Sequence, residues 1–61
     1  MNHSIKVLDF NGTILFYQMC RSAVEQDDLF FAMADKFPDS IVLAKHYDTT
    51  ILALYGQNRS R

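Results

Sequence analysis

The sequence predicts an α+β domain of element order ββαββ, in which a four-stranded antiparallel sheet carries one helix on one face. Three observations predict it. An Asn11-Gly12 pair lies between two runs rich in β-branched and aromatic residues, a middle segment has apolar residues at helical spacing, and two further apolar runs follow. With 61 residues the chain forms one domain at most. We assign residues 1–56 to this domain and residues 57–61 to a short polar C-terminal tail.

The Asn-Gly pair predicts a β-hairpin between residues 5–10 and residues 13–19. Asn and Gly tolerate the positive φ angles of a two-residue type I′ turn, whose twist matches that of the strands. A two-residue loop places Leu8 opposite Leu15, and further along the hairpin it places His3 opposite Cys20. Both faces of this hairpin carry large apolar side chains, whereas a one-sided sheet alternates apolar with polar residues.

The middle segment is typical of an amphipathic helix that runs roughly from Ala23 to Lys36. Ser22 and Glu25 have the S-x-x-E spacing of a capping box. Pro38 ends the helix at or just before the preceding residue, because proline disfavours helical geometry there. The apolar stripe consists of Ala23, Phe30, Met33, Ala34 and Phe37.

A second hairpin is predicted between residues 41–47 and residues 50–55, with Asp48 and Thr49 in the turn. The loop between the strands is two to four residues long. With two residues it gives the pairs Lys45–Leu52, Leu43–Leu54, His46–Ile51, Ala44–Ala53 and Val42–Tyr55. The order of the four strands in the sheet does not follow from the sequence.

Composition excludes several ways of stabilising so small a domain. Cys20 is the only cysteine, so no internal disulfide forms, and a lone cysteine suits a reducing compartment. Cys20, His3 and His46 lack the paired spacing of a metal site, and no motif indicates a cofactor. The chain begins without a signal-peptide pattern and has no apolar run long enough for a membrane span. We therefore expect a cytoplasmic protein in which oligomerisation supplies the missing stability.

The apolar character of both sheet faces predicts a partner. One helix covers only one face of the sheet. The other face would then expose either Ile5, Val7, Ile14, Phe16 and Val42 or Leu8, Phe10, Leu15, Tyr17 and Leu43. Each such side chain contributes about 1.5–3 kcal/mol when buried, so leaving a whole set in water forgoes much of the stability of the domain. We predict a homodimer, formed through the sheets or through sheet edges plus the helix flank, that docks onto a larger protein as an inhibitor or adaptor.

Candidate partner-binding residues are aromatic anchors and helix carboxylates. Tyr and Phe are favoured at protein interfaces, and acidic groups on a helix meet a basic patch or imitate nucleic acid. Such carboxylates are more often simply solvated. The candidates are Tyr47, Tyr55, Phe31, Asp28, Asp35 and Glu25.

No residue pattern predicts catalysis. His3 opposite Cys20 resembles an activated thiol, but no third residue is placed to orient the histidine. The alternative function is a regulator that binds nucleic acid through a β-ribbon or sheet face. Such a protein should have a basic strand face. The net charge is −1, and two of the arginines, Arg59 and Arg61, lie in the tail, so the sequence gives little sign of such a face.

Overall fold

The computed structural model describes residues 2–55, and the predicted polar tail, residues 57–61, lies outside them. The elements are β1 (His3–Leu8), β2 (Ile14–Cys20), α1 (Ala23–Lys36), β3 (Ile41–His46) and β4 (Thr49–Tyr55). All neighbouring strands are antiparallel, in the order β2-β1-β3-β4. The predicted ββαββ fold with one four-stranded sheet is therefore confirmed, and β2 and β4 form its edges.

The turn of the first hairpin differs from the predicted two-residue loop. The backbone N–H of Gly12 donates to the carbonyl of Asp9 at 3.0 Å, and the N–H of Asp9 donates to the carbonyl of Thr13 at 2.9 Å. Gly12 has a φ of +91°, whereas Asn11 does not have a positive φ. The Asp9 carboxylate accepts from the backbone N–H groups of Asn11 and Thr13, each at 2.9 Å. This carboxylate stabilises a three-residue loop, so the type I′ prediction was wrong.

The longer loop shifts the pairing only next to the turn. Leu8 lies opposite Ile14 rather than Leu15, which makes Leu15 the extra residue of a bulge on β2. From Val7 opposite Phe16 onwards the register is the predicted one.

The second hairpin turns one residue earlier than predicted. His46 lies opposite Thr49, and Tyr47 occupies the turn with a φ of +57°. The register shifts again between Lys45 and Ala44, so that Val42 lies opposite Leu54 and not opposite Tyr55 as predicted. The other four predicted pairs of this hairpin were wrong as well. The other pairs in the structure are Ile41–Tyr55, Leu43–Ala53, Ala44–Leu52 and Lys45–Thr50. From Leu52 to Tyr55 the register differs from the predicted one by one residue. Such a change moves each side chain to the opposite face, so this part of β4 presents the reverse of its predicted faces.

The ends of α1 are the predicted ones. Ser22 is the N-cap, and its hydroxyl accepts from the backbone N–H of Glu25 at 3.1 Å. The Glu25 carboxylate in turn accepts from the N–H of Arg21 at 3.3 Å. Phe37 caps the other end and precedes Pro38. The buried hydroxyl of Ser40 donates to the carbonyl of Phe37 at 2.6 Å, which fixes the chain as it enters β3.

The core lies between α1 and the two central strands. The helix packs chiefly on β1 and β3 and less on β2. The buried apolar residues are Ile5, Val7, Cys20, Phe30, Ala34, Val42 and Ala44. The side of the sheet that these strand residues occupy is therefore the one that the helix covers.

Hydrogen bonds from the Gln26 side chain connect the helix to both central strands. Its side chain is only 3% exposed. The Gln26 amide donates to the carbonyl of Ser4 in β1 at 2.9 Å and to the carbonyl of Lys45 in β3 at 2.8 Å. Ser4 and Lys45 are partners in the β1–β3 ladder, so one polar side chain in the core fixes the position of α1 over this strand pair.

Candidate protein-interaction surface

The side of the sheet that faces away from α1 is called the open face here. No helix or strand within residues 2–55 covers it. Strand residues alternate between the two faces, and the core residues identify the covered one. The register therefore places on the open face Ser4, Lys6, Leu8, Ile14, Tyr17, Met19, Ile41, Leu43, Lys45, Thr50, Ala53 and Tyr55. Ile14 was predicted to share a face with Ile5 and Val7, and the bulge on β2 makes that prediction wrong.

The open face is apolar, and large side chains line both of its edges. Tyr17 and Met19 of β2 are 53% and 47% exposed, and Tyr55 of β4 is 45% exposed. Leu8 and Leu43, on the central strands between them, are half-buried. The Tyr17 hydroxyl donates to the Met19 sulfur at 3.0 Å, so these two side chains lie together along β2. A half-exposed apolar strip of this kind is characteristic of interaction sites.

Lys6 and Lys45 are the only Lys, Arg, Asp or Glu residues in the four strands, and the open face carries both. Lys6 lies opposite Tyr17 on one side and opposite Leu43 on the other, and Lys45 lies opposite Ser4. The acidic residues all lie in the helix or in connecting segments, and they are Asp9, Glu25, Asp27, Asp28, Asp35, Asp39 and Asp48. The strands thus give the open face positive charge without any carboxylate.

The structure does not bring the six predicted partner-binding residues together. Asp28, Phe31 and Asp35 are exposed on α1. The Glu25 carboxylate accepts a hydrogen bond from the backbone N–H of Arg21, just before the helix. The remaining two lie at opposite ends of the sheet. The Tyr47 ring is in the β3–β4 turn, 4.8 Å from the His46 ring, whereas Tyr55 ends β4 on the open face.

The sequence did not predict that Lys6 and Lys45 share one face of a single sheet, because the strand order did not follow from it. Sequence reasoning also missed Gln26. This residue lies four positions before Phe30, on the buried side of the helix, and a polar residue at that position was the available signal.

His3, His46 and Cys20 form a row across three strands on the covered side of the sheet. His3 lies opposite Cys20 in β2, as predicted, and opposite His46 in β3. The imidazole rings of His3 and His46 stack with their centroids 4.8 Å apart. Cys20 is almost fully buried. Burial raises the pKa of the Cys20 thiol, and the negative charge of Glu25 raises it further. A thiol with a raised pKa stays protonated, which opposes its use as a nucleophile.

The Cys20 thiol should therefore be slow to react in the folded protein and should make folding sensitive to alkaline pH. Its contribution is fully present below the ordinary thiol pKa of 9.0 and is lost as the pH rises through the higher folded-state value. We expect the free energy of unfolding to fall above about pH 9, and to fall less in Cys20→Ala. Urea titrations at pH 7 to 10.5, with iodoacetamide labelling in parallel, measure both effects. Two results would contradict a buried thiol with a raised pKa. One is the same pH dependence of the free energy of unfolding in both proteins, and the other is labelling of Cys20 in the folded protein as fast as in the urea-unfolded protein.

Residues 2–55 contain no group of three His, Cys, Asp or Glu side chains that could hold a metal ion. The helix in this part of the chain lacks the length and apolar character of a membrane span. The fold and this surface define a small α+β protein with one apolar sheet face that no element of residues 2–55 covers. No protein-family model, curated protein or solved structure shows significant similarity to the chain.

Proposed function

We propose that this protein is a protein-interaction module that covers a surface of a larger protein with its open face, as a non-enzymatic inhibitor or adaptor in the cytosol. The observation that carries the proposal is the open face itself, where Tyr17, Met19 and Tyr55 are about half exposed beside partly buried leucines. Burial of aromatic anchors within an apolar patch is the usual source of binding energy at protein interfaces. The lone cysteine supports the cytosolic part of the proposal.

Capture of binding partners from the native cell, by the unmodified protein and by two variants, tests whether the open face binds a larger protein. The variant Tyr17→Ser/Met19→Gln removes exposed apolar area from that face. The matched control Val24→Ser/Phe31→Ser removes it from the exposed side of α1. We expect the unmodified protein and the control to retain the same partner by mass spectrometry, and the open-face variant to lose it. Retention by the open-face variant, or loss in the control alone, would refute a binding site on this face.

We further propose that the protein is a homodimer joined along an edge of the sheet. A dimer through two open faces would bring together Lys6 and Lys45 of both copies without a strand carboxylate between them. The edge strands β2 and β4 contain no charged residue and no proline, although natural sheet edges commonly carry such residues to prevent pairing. An edge dimer also leaves the open face available to the larger partner.

Sedimentation equilibrium at micromolar concentration tests the homodimer. We expect twice the monomer mass of 7.1 kDa for the unmodified protein. Placing a lysine on the edge that pairs should give a monomer, and placing one on the other edge should not. Gln18→Lys in β2 and Ala53→Lys in β4 are the matched pair. A monomeric parent would exclude the homodimer, and a dimer that survives both substitutions would exclude the edges.

The second candidate function is nucleic-acid binding. The observation that favours it is Lys6 opposite Tyr17 on the open face, which sets a cation beside a ring on which a base would stack. The face carries two lysines in all, which is little charge for a phosphate backbone. A gel shift with single-stranded DNA at low salt separates the two functions.

A further inference from the structure

We infer that the open face selects an amphipathic helix whose apolar face is flanked by carboxylates, presented by another protein. The inference rests on the proposed function and specifies the chemistry of the partner.

The two lysines of the open face have no acidic counterpart. No ion pair joins Lys6 or Lys45 to a carboxylate within residues 2–55. Both residues are half-buried. Lysines in such positions commonly cover apolar surface with the aliphatic stem and keep the ammonium group in water. A partner that covers the apolar surface also takes these ammonium groups partly out of water. That cost is offset best where the partner brings carboxylates that accept hydrogen bonds from them.

The spacing of the lysines suits a helix. Lys6 pairs with Leu43, and Lys45 is two residues further along the same neighbouring strand, so the lysines are diagonal neighbours. Diagonal neighbours on an antiparallel pair lie about 7–8 Å apart. Residues four apart on a helix have Cβ atoms about 5–6 Å apart, and two Glu side chains at that spacing reach both lysines. The other side of the same sheet already packs against a helix, α1, over the same two strands.

The charge pattern disfavours the other occupants. The open face of a second copy would bring two more ammonium groups and no strand carboxylate, and like charges at an interface are repulsive. A nucleic acid would use the lysines but would leave most of the apolar surface, including Leu8, Ile41 and Leu43, without a matching contact.

Titration of the full-length, isotope-labelled protein with helical probe peptides tests the inference. The probes are amphipathic peptides with one Leu face and with Glu, Gln or Lys at the positions flanking it, together with single-stranded oligo(dT). We expect the Leu/Glu peptide to shift backbone amide signals of the open-face residues. It should bind about tenfold more tightly than the Leu/Gln peptide and more tightly still than the Leu/Lys peptide, and added salt should weaken its binding.

Substitution of the lysines completes the test. Lys6→Gln/Lys45→Gln should bind the Leu/Glu peptide about tenfold less tightly, Lys6→Arg/Lys45→Arg should retain binding, and Lys36→Gln on the helix should leave it unchanged. Equal binding of all three peptides at the open face would overturn the charge selection and leave the proposed function standing. Failure of every peptide to reach this face, or shifts with oligo(dT) alone, would overturn the inference. The capture experiment then decides separately whether the open face binds a protein.

Discussion

Replacing Phe30 with alanine should leave most of the chain unfolded, whereas the same replacement at the adjacent Phe31 should change stability little. Phe30 is 4% exposed and belongs to the core between α1 and the sheet, whereas Phe31, the next residue around the helix, is 59% exposed. Truncation of a buried Phe to Ala costs about 3–5 kcal/mol. A domain of 61 residues has a total stability of only about 3–9 kcal/mol.

Urea unfolding followed by circular dichroism measures this difference, and Phe31→Ala is the matched control in sequence position and residue type. We expect Phe30→Ala to lack a cooperative transition or to show a midpoint near zero urea. Similar midpoints for the two variants would show that the helix does not pack through Phe30. Since Phe31 contacts Phe30 edge-to-face at a centroid distance of 5.2 Å, a loss of about 0.5–1.5 kcal/mol is expected at the control position.

Replacing Gln26 should produce the second large effect, with a size that depends on the chemistry of the replacement. Gln26→Met keeps the length of the side chain and removes both hydrogen bonds, to the carbonyls of Ser4 and Lys45. We expect a loss of about 1–3 kcal/mol in the free energy of unfolding. Gln26→Glu should cost more at neutral pH, because a buried carboxylate would face two carbonyl oxygens and could donate to neither.

The pH dependence of Gln26→Glu distinguishes these causes. Burial beside carbonyl oxygens should raise the pKa of the new carboxyl group above its ordinary value of about 4.3. The protonated acid donates one hydrogen bond, so stability is retained below that value and is lost as the pH rises through the folded-state pKa. Thermal unfolding at pH 4 to 8, with exposed Asp27→Glu as control, measures the effect. If Gln26→Met is as stable as the unmodified protein, the hydrogen bonds to the two strands do not hold the helix. If Gln26→Glu is as stable as Gln26→Met at neutral pH, the new carboxylate is not buried against the two carbonyl groups.

The same two residues show how far sequence reasoning extends into the core. Phe30 follows from the helical spacing of apolar residues, since a buried stripe repeats every three to four positions. Gln26 occupies the same stripe, but its role depends on two carbonyl groups from strands that lie far from it in the chain. Hydrophobic periodicity contains no information about such a partner, so the hydrogen bonds were not predictable.

Loop length is a second feature that the sequence did not predict correctly. Asn11 and Gly12 predicted a hairpin at the right place, because both residues favour turns. The Asp9 carboxylate, which accepts from two backbone N–H groups, changed the loop to three residues. In the second hairpin, Tyr47 adopts a positive φ that its residue type disfavours, so the turn lies one residue earlier than Asp48 and Thr49 suggested.

The local sequence by itself determined the kinds of elements in this protein, their order and the bounds of its helix, because spacing, caps and turn residues act within a few positions of the chain. It also established that both faces of the strands are apolar. Only the tertiary structure decided that β1 and β3 are neighbours, and hence that Lys6 and Lys45 share the open face with Tyr17 and Leu43. The physical reason is that strand order and register depend on contacts between distant segments and on the position of one covering helix.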